Sequence, residues 1–139
     1  MATLSQTAEY ALRAVLYLAE QGEARPVQVG QMAEALRIPR NYLSKILHLL
    51  ARDGVLSSSR GKQGGFRLAI PPDRLMLLRV IGPFDRFEAR RACLLGRAQC
   101  SDRTACAAHT RWKDVSERLT MFFRETTVAD LLQSAPATV

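Results

Sequence analysis

The stretch from Pro39 to Ile70 limits the possible folds more than any other part of the chain. Leu43, Ile46, Leu47 and Leu50 recur at i, i+3, i+4 and i+7, the spacing of one apolar helical stripe, and Asp53-Gly54 stops the helix. Pro39 stands at the start, where a helix accepts proline. The other face carries Arg40, Asn41, Ser44, Lys45 and His48, all able to hydrogen-bond, with Tyr42 beside them. Val55-Leu56 follows, then 57–65, rich in Ser, Gly, Arg and Lys, then Phe66-Arg67-Leu68-Ala69-Ile70, whose apolar residues alternate. This order predicts a β-hairpin with a flexible basic tip and glycines at its turn. The leucine stripe holds the helix to the core, so its polar N-terminal half faces outward.

The flanking segments fit around that unit. Tyr10, Ala14, Tyr17 and Leu18 recur at helical spacing, while Ala11, Val15 and Leu16 add apolar surface on other faces, so the first helix is buried on more than one side and ends near Gly22. Val29, Met32, Ala33 and Leu36 predict a short second helix closed by Ile38-Pro39. Pro71-Pro72 ends the hairpin, and 75–81 resumes a helical apolar pattern until Gly82-Pro83. Residues 84–106 lack clean periodicity and read as a loop with one helical turn. From His109 onward Trp112, Val115, Ser116, Leu119, Phe122 and Phe123 share one stripe of a long helix. The expected organisation is a mainly α domain with a small β-hairpin at 1–82, a cysteine-containing loop at 83–108, a dimerisation helix at 109–127 and a C-terminal tail at 128–139.

With 139 residues the chain can bury one modest core and carry one appendage. Its formal charge is +7, and residues 37–67 hold Arg37, Arg40, Lys45, Arg52, Arg60, Lys62 and Arg67 against the single acid Asp53. Such a cationic surface favours polyanions, either nucleic acid or an acidic membrane face. No segment approaches the roughly 18 consecutive apolar residues that a membrane helix needs, and Glu9 and Arg13 interrupt the N-terminus, which lacks a basic leader. The expectation is a cytoplasmic protein without membrane association.

A short helix, a tight connection, a second helix with a polar outer face and a basic, glycine-tipped hairpin follow the order of a winged helix-turn-helix. That order lets the third helix enter a major groove with Arg40, Asn41, Tyr42, Ser44 and Lys45 near base edges and phosphates. It sets Arg60, Lys62, Gln63 and Gly64 of the hairpin over the backbone or the neighbouring minor groove. The expected partner is double-stranded DNA.

Cysteine occurs only at Cys93, Cys100 and Cys106, and His109 follows at once. Three thiolates and one imidazole in C-x6-C-x5-C-x2-H suit an iron-sulfur cluster, because long unequal gaps let the loop wrap it, whereas structural zinc sites prefer C-x2-4-C pairs. Zinc and bare redox thiols are the alternatives. Arg90, Arg91, Arg97 and Arg103 surround the cysteines, and their positive field favours thiolate.

The phrases AEYALRAVLYLA, YLSKILHLLARDGVLSSSRGKQGGFRLA, the C-x6-C-x5-C-x2-H run, WKDVSERLTMFF and TTVADLL together span nearly the whole chain. In them the sequence resembles the Rrf (type two) family of winged helix-turn-helix iron-sulfur transcription regulators, in its IscR/NsrR-like branch. The resemblance implies that Cys93, Cys100 and Cys106 are cluster ligands. The fourth would be His109, which goes with a 2Fe-2S rather than a 4Fe-4S cluster, or a carboxylate from the first helix, where Glu9 stands. The first cysteine gap, at six residues, is longer than the family's usual five or fewer.

The reading is therefore a regulator, not an enzyme, with no small-molecule substrate, sensing redox state, nitric oxide or iron-sulfur status. Trp112, Val115, Leu119, Phe122 and Phe123 would pack against a symmetry mate, giving a homodimer on a palindromic operator. The alternatives are a cofactor-free thiol-redox or zinc-binding winged-helix regulator, and a small iron-sulfur electron carrier.

Overall fold

The computed structural model describes residues 4–22, 25–86, 93–96 and 101–134. Helix α1 spans Gln6–Gln21. It starts where the Ser5 hydroxyl accepts the Ala8 N–H, and it ends at Gly22, whose φ of 79° a glycine adopts without strain. Ala8, Ala11, Ala14, Val15 and Leu18 are buried, and small alanines on several faces let other helices approach closely. Its start is tied across the chain: Ser5 N–H donates to Asp85 Oδ2 at 2.7 Å, and Ser5 Oγ donates to the Phe84 carbonyl. Asp85 is buried, so an otherwise orphaned helix-start donor receives a carboxylate partner.

Helix α2 is Val29–Leu36 and α3 is Arg40–Arg52. The turn between them uses Arg37 in the left-handed region, φ 56° and ψ 45°. Arg13 on α1 covers this junction by donating Nη2 to the Leu36 carbonyl at 2.6 Å, which satisfies a helix-end acceptor. The predicted α3 stripe is the observed one: Leu43, Leu47 and Leu50 are fully buried and Ile46 nearly so. Arg79 caps the far end, its Nη2 donating to the Asp53 carbonyl.

Strands β1, Leu56–Ser59, and β2, Gly65–Leu68, pair antiparallel with Leu56 opposite Leu68 and Ser58 opposite Phe66. β1 runs farther than its apolar pair suggested, because Ser57, Ser58 and Ser59 each face a β2 residue, and the tip shrinks to 60–64. On its other edge Phe66 exchanges both backbone hydrogen bonds with Val27, each 2.8 Å. The hairpin is thus bolted to the segment just before α2. That approach leaves no room beside the glycines. A Cβ on Gly65, where φ is 151°, would lie 2.4 Å from the Val27 carbonyl oxygen, and one on Gly64 would lie 2.2 Å from that of Ser59.

A 3-10 turn at Pro72–Arg74 leads into α4, Leu77–Ile81. The helix expected from Leu75 begins two residues later, because Leu75 and Leu77 spend their backbone groups on the C-terminal segment. Val128 N–H donates to the Leu75 carbonyl and Leu77 N–H to the Thr126 carbonyl. Helix α5 spans His109–Glu125 and α6 spans Val128–Ser134. Residues 128–134, expected as a tail, are therefore a helix, and Val128 is fully buried. Thr127 and Asp130 close a capping box: Thr127 N–H donates to Asp130 Oδ2, and Asp130 N–H donates to Thr127 Oγ1. Beyond residue 134 the expected tail lies outside the described residues.

Gly65→Ala should lower stability by about 1–3 kcal/mol, since the side chain meets backbone rather than a movable group. Thr127→Ala should cost about 1 kcal/mol through the lost cap. Thermal unfolding followed by circular dichroism reads both, and unchanged midpoints would contradict the two packing assignments.

Candidate nucleic-acid interface and cysteine loop

With its stripe buried, α3 presents Arg40, Asn41, Tyr42, Lys45 and His48 to solvent, and Ser44 is half-buried. Arg60, Lys62 and Gln63 are exposed at the hairpin tip, so all of these expected contacts except Ser44 and Gly64 have open surface. Gly64 is buried, its N–H donating to the Gly61 carbonyl, and it shapes the tip. Tyr42 has a second task. Its hydroxyl hydrogen-bonds Thr7 Oγ1, and its ring stands edge-on to Tyr10 at 5.5 Å, over which the Arg13 guanidinium lies. The start of α3 is thereby fixed to the first turns of α1. His48 packs edge-on against Phe66 at 5.3 Å, setting the reading helix against the hairpin.

Sequence reasoning missed the residues that brace the tip. Gln28 Nε2 donates to the Lys62 carbonyl at 2.7 Å, and Arg25, Pro26, Gln28, Gln31, Gln63 and Gly64 line a cleft between the start of α2 and the hairpin. The Arg40 guanidinium lies over Gly30 of α2, within 3.7 Å of where a Cβ would be. Only the Val27–Phe66 pairing reveals these neighbours, and no local pattern encodes it.

Of the expected cluster ligands, Cys93 and Cys106 are half-buried, while Cys100 lies outside the described residues together with Arg90, Arg91 and Arg97. Cys93 opens a turn closed by Gly96 N–H. Cys106 and His109 share one turn at the head of α5, His109 N–H donating to the Cys106 carbonyl at 3.1 Å. Ser101 and Thr104 fold the intervening residues into a tight turn, with Thr104 N–H donating to both the carbonyl and the hydroxyl of Ser101. From this turn Asp102 reaches His109 Nε2 at 3.0 Å and Lys113 Nζ at 3.2 Å. Those two neighbours hold the Asp102 carboxyl below its ordinary pKa, the histidine hydrogen bond most of all.

Among the described residues no three His, Cys, Asp or Glu side chains converge on one metal position. The donor types present, cysteine sulfurs and an imidazole, are those that ligate iron-sulfur clusters, and Cys106 and His109 share one backbone turn. Glu9 sits exposed in the first turn of α1, where its charge favours the helix dipole.

The α5 stripe divides. Phe123 is buried in the chain's own core and Leu119 packs against that core, whereas Val115, Met121 and Phe122 are 46%, 50% and 47% exposed. Trp112 is half-buried and lines an apolar depression with Leu94, Ala108, Arg111 and Val115. Met121 falls outside the predicted stripe yet shares the outward surface. Among the described residues no helix is long and apolar enough to cross a membrane.

Comparison with known proteins agrees with this architecture. The Rrf2 family, described as iron-dependent transcriptional regulators, matches residues 4–134. A provisionally named HTH-type transcriptional regulator of Aquifex aeolicus is 36% identical over 130 residues, covering 92% of this chain and 90% of that one. The HTH-type transcriptional regulator IscR of Vibrio atlanticus is 31% identical over 94% of this chain and 75% of its own. Among solved structures, the global cysteine regulator CymR of B. subtilis superposes with a TM-score of 0.76 at 21% identity, over 98% of this chain and all of that one. IscR of T. potens gives 0.74 at 23%, over 95% and 87%. Both share the winged-helix fold, and with the family match spanning nearly its full length the chain belongs to the Rrf2 family of transcription regulators.

Proposed function

We propose that this Rrf2 regulator reads a palindromic operator as a homodimer and senses redox state, nitric oxide or iron-sulfur status through a cluster held by Cys93, Cys100, Cys106 and His109. The observation that carries the DNA half is the split of α3 into a buried leucine stripe and an exposed polar N-terminal half, braced beside a basic hairpin. In a major groove, Arg40, Asn41, Ser44 and Lys45 would meet base edges and phosphates, with Tyr42 setting the approach of α3 from α1. Arg60, Lys62 and Gln63 would sit over the adjoining backbone, and Gly64 gives the tip its shape. The outward Val115, Phe122 and Trp112, with Leu119 beneath them, suit a two-fold contact, whereas Phe123, expected to join them, is taken up by the chain's own core.

The Cys106–His109 turn supports the sensor half, and a histidine fourth ligand favours 2Fe-2S over 4Fe-4S. Glu9 is the alternative fourth ligand, contributed by the first helix of the same chain or of its partner. When bound, the cluster supplies a redox-active centre open to oxidation, nitrosylation or loss. The residues around it then do the mechanical work. Asp85, just before the loop, is fastened to the N-cap of α1, and His109 opens α5, so the state of the loop bears on both helices.

Lys45→Ala with Arg60→Ala should weaken operator binding in a band-shift titration and flatten its salt dependence by about two units of slope, one per lost phosphate contact. Unchanged affinity at moderate salt would refute the placement of the reading face. Cys106→Ala, purified without oxygen, should fold normally yet lose visible absorption and iron. A colourless, iron-free wild-type protein that still selects an operator would instead support a cofactor-free thiol or zinc-binding regulator. A cluster-bearing protein without operator selectivity would support an electron carrier.

A further inference from the structure

The geometry points to a positioning residue outside the ligand set: we infer that Asp102 fixes the His109 ring so that Nδ1, not Nε2, faces the iron. This inference rests on the reading of His109 as a cluster ligand. Asp102 Oδ1 lies 3.0 Å from Nε2, and Lys113 Nζ lies 3.2 Å from both carboxylate oxygens. Lys113 Nζ donates to both carboxylate oxygens, so Oδ1 meets the ring as an acceptor and Nε2 is the donor. A ring nitrogen that carries a donated proton cannot also give its lone pair to a metal. Ligation therefore passes to Nδ1, and Asp102–His109 forms a carboxylate–histidine–metal arrangement, which orients the ring and raises its basicity.

The surroundings make the contact directional. The His109 side chain is 13% exposed and Asp102 75%, so the carboxylate holds the ring from the solvent side. Asp102 in turn is set by the Ser101–Thr104 turn, and Lys113 stands one helical turn beyond His109. Two local structures, a loop turn and the first turns of α5, thus aim one carboxylate at one nitrogen. Neither Asp102 nor Lys113 belongs to the cysteine pattern.

The test uses full-length protein prepared without oxygen, as wild type, Asp102→Ala, Asp102→Asn and Lys113→Ala. Against a ferrous chelator, Asp102→Ala should lose iron about 10–100-fold faster than wild type, the range for removing an outer carboxylate. The reduction potential should rise in both Asp102 variants as the imidazole becomes a weaker donor. Asp102→Asn, which still accepts from Nε2–H, should recover most of the retention. Lys113→Ala should change retention far less. A second readout needs no cluster: in cluster-free protein carrying His48→Gln, which leaves His109 as the one histidine of the two, nitrogen-15 spectra should show the proton on Nε2. In Asp102→Ala the two ring-nitrogen shifts should move toward each other as the other tautomer fills. Wild-type and Asp102→Ala proteins with equal iron loss and equal potential, or a His109 proton on Nδ1, would overturn the inference while leaving the cluster reading intact. Wild-type protein devoid of iron would overturn the cluster reading and this inference with it.

Discussion

Burial of the α3 stripe governs much of what the molecule presents to a partner. Leu43, Ile46, Leu47 and Leu50 lie on one side of thirteen residues, and sealing them against α1 and the hairpin fixes the rotation of the helix about its own axis. Truncating a buried leucine of this kind typically costs about 2–5 kcal/mol, a large share of what a small domain has. Rotating α3 by even a third of a turn would bury Arg40 or Lys45 and expose the stripe. The polar face is therefore outward by necessity, and Tyr42, hydrogen-bonded to Thr7 and stacked edge-on to Tyr10, fixes its N-terminal end to α1.

The hairpin depends on a different kind of contact. Two short strands are marginal alone in water, yet here Val27 supplies a third pairing partner: Phe66 faces Ser58 on one side and spends its N–H and C=O on Val27 on the other. Because Val27 lies just before the start of α2, backbone hydrogen bonds place the tip relative to the helix pair, together with the packing of Phe66 against His48 and the Gln28 side-chain contact to Lys62. Gly64 and Gly65 are needed where the chains come closest. A basic tip mounted this way keeps its long cationic side chains free while its backbone stays fixed. That combination suits a polyanion, since phosphate contacts tolerate side-chain freedom but need register.

What could be read from the sequence was what short-range periodicity encodes. The three N-terminal helices, the α3 stripe, the Gly22 and Gly54 stops and the glycine-tipped hairpin all follow from apolar spacing and special backbone residues. What escaped was fixed by contacts distant in sequence. Leu75 and Met76 looked helical, but the 126–128 backbone bonds the Leu75 carbonyl and the Leu77 N–H on either side of Met76 and holds the pair extended. Residues 128–134 looked like a tail, although Thr127-Val128-Ala129-Asp130 is a capping signal with Asp where Glu or Gln is usual. Phe123 fell on the stripe assigned to a partner, yet adjacent Phe122 and Phe123 point to different environments and only tertiary packing decides which is inside. Asp102 was passed over because a single acid between cysteines has no periodicity and gains meaning only once the Ser101–Thr104 turn brings it to His109.

The cysteine segment sits between anchored ends. At its start, Asp85 is buried and accepts from the Ser5 backbone, so the entry to the loop is fastened to the N-cap of α1. At its finish, Cys106 and His109 form the head of α5, while the far end of that helix is held by Phe123 in the core. In the proposed sensor, a rearrangement that reaches Asp85 would bear on the first turns of α1, which carry the Thr7 and Tyr10 contacts to Tyr42 of the reading helix. There, one that moves the Cys106–His109 turn would bear on the head of α5, of which His109 is the first residue. Phe123 is held in the core near the far end, so a shift of the helix head would carry Trp112 and Val115 with it. In the proposed sensor the same few residues thus link the cysteine loop both to the DNA-reading helix and to the surface that sets the spacing between two reading heads.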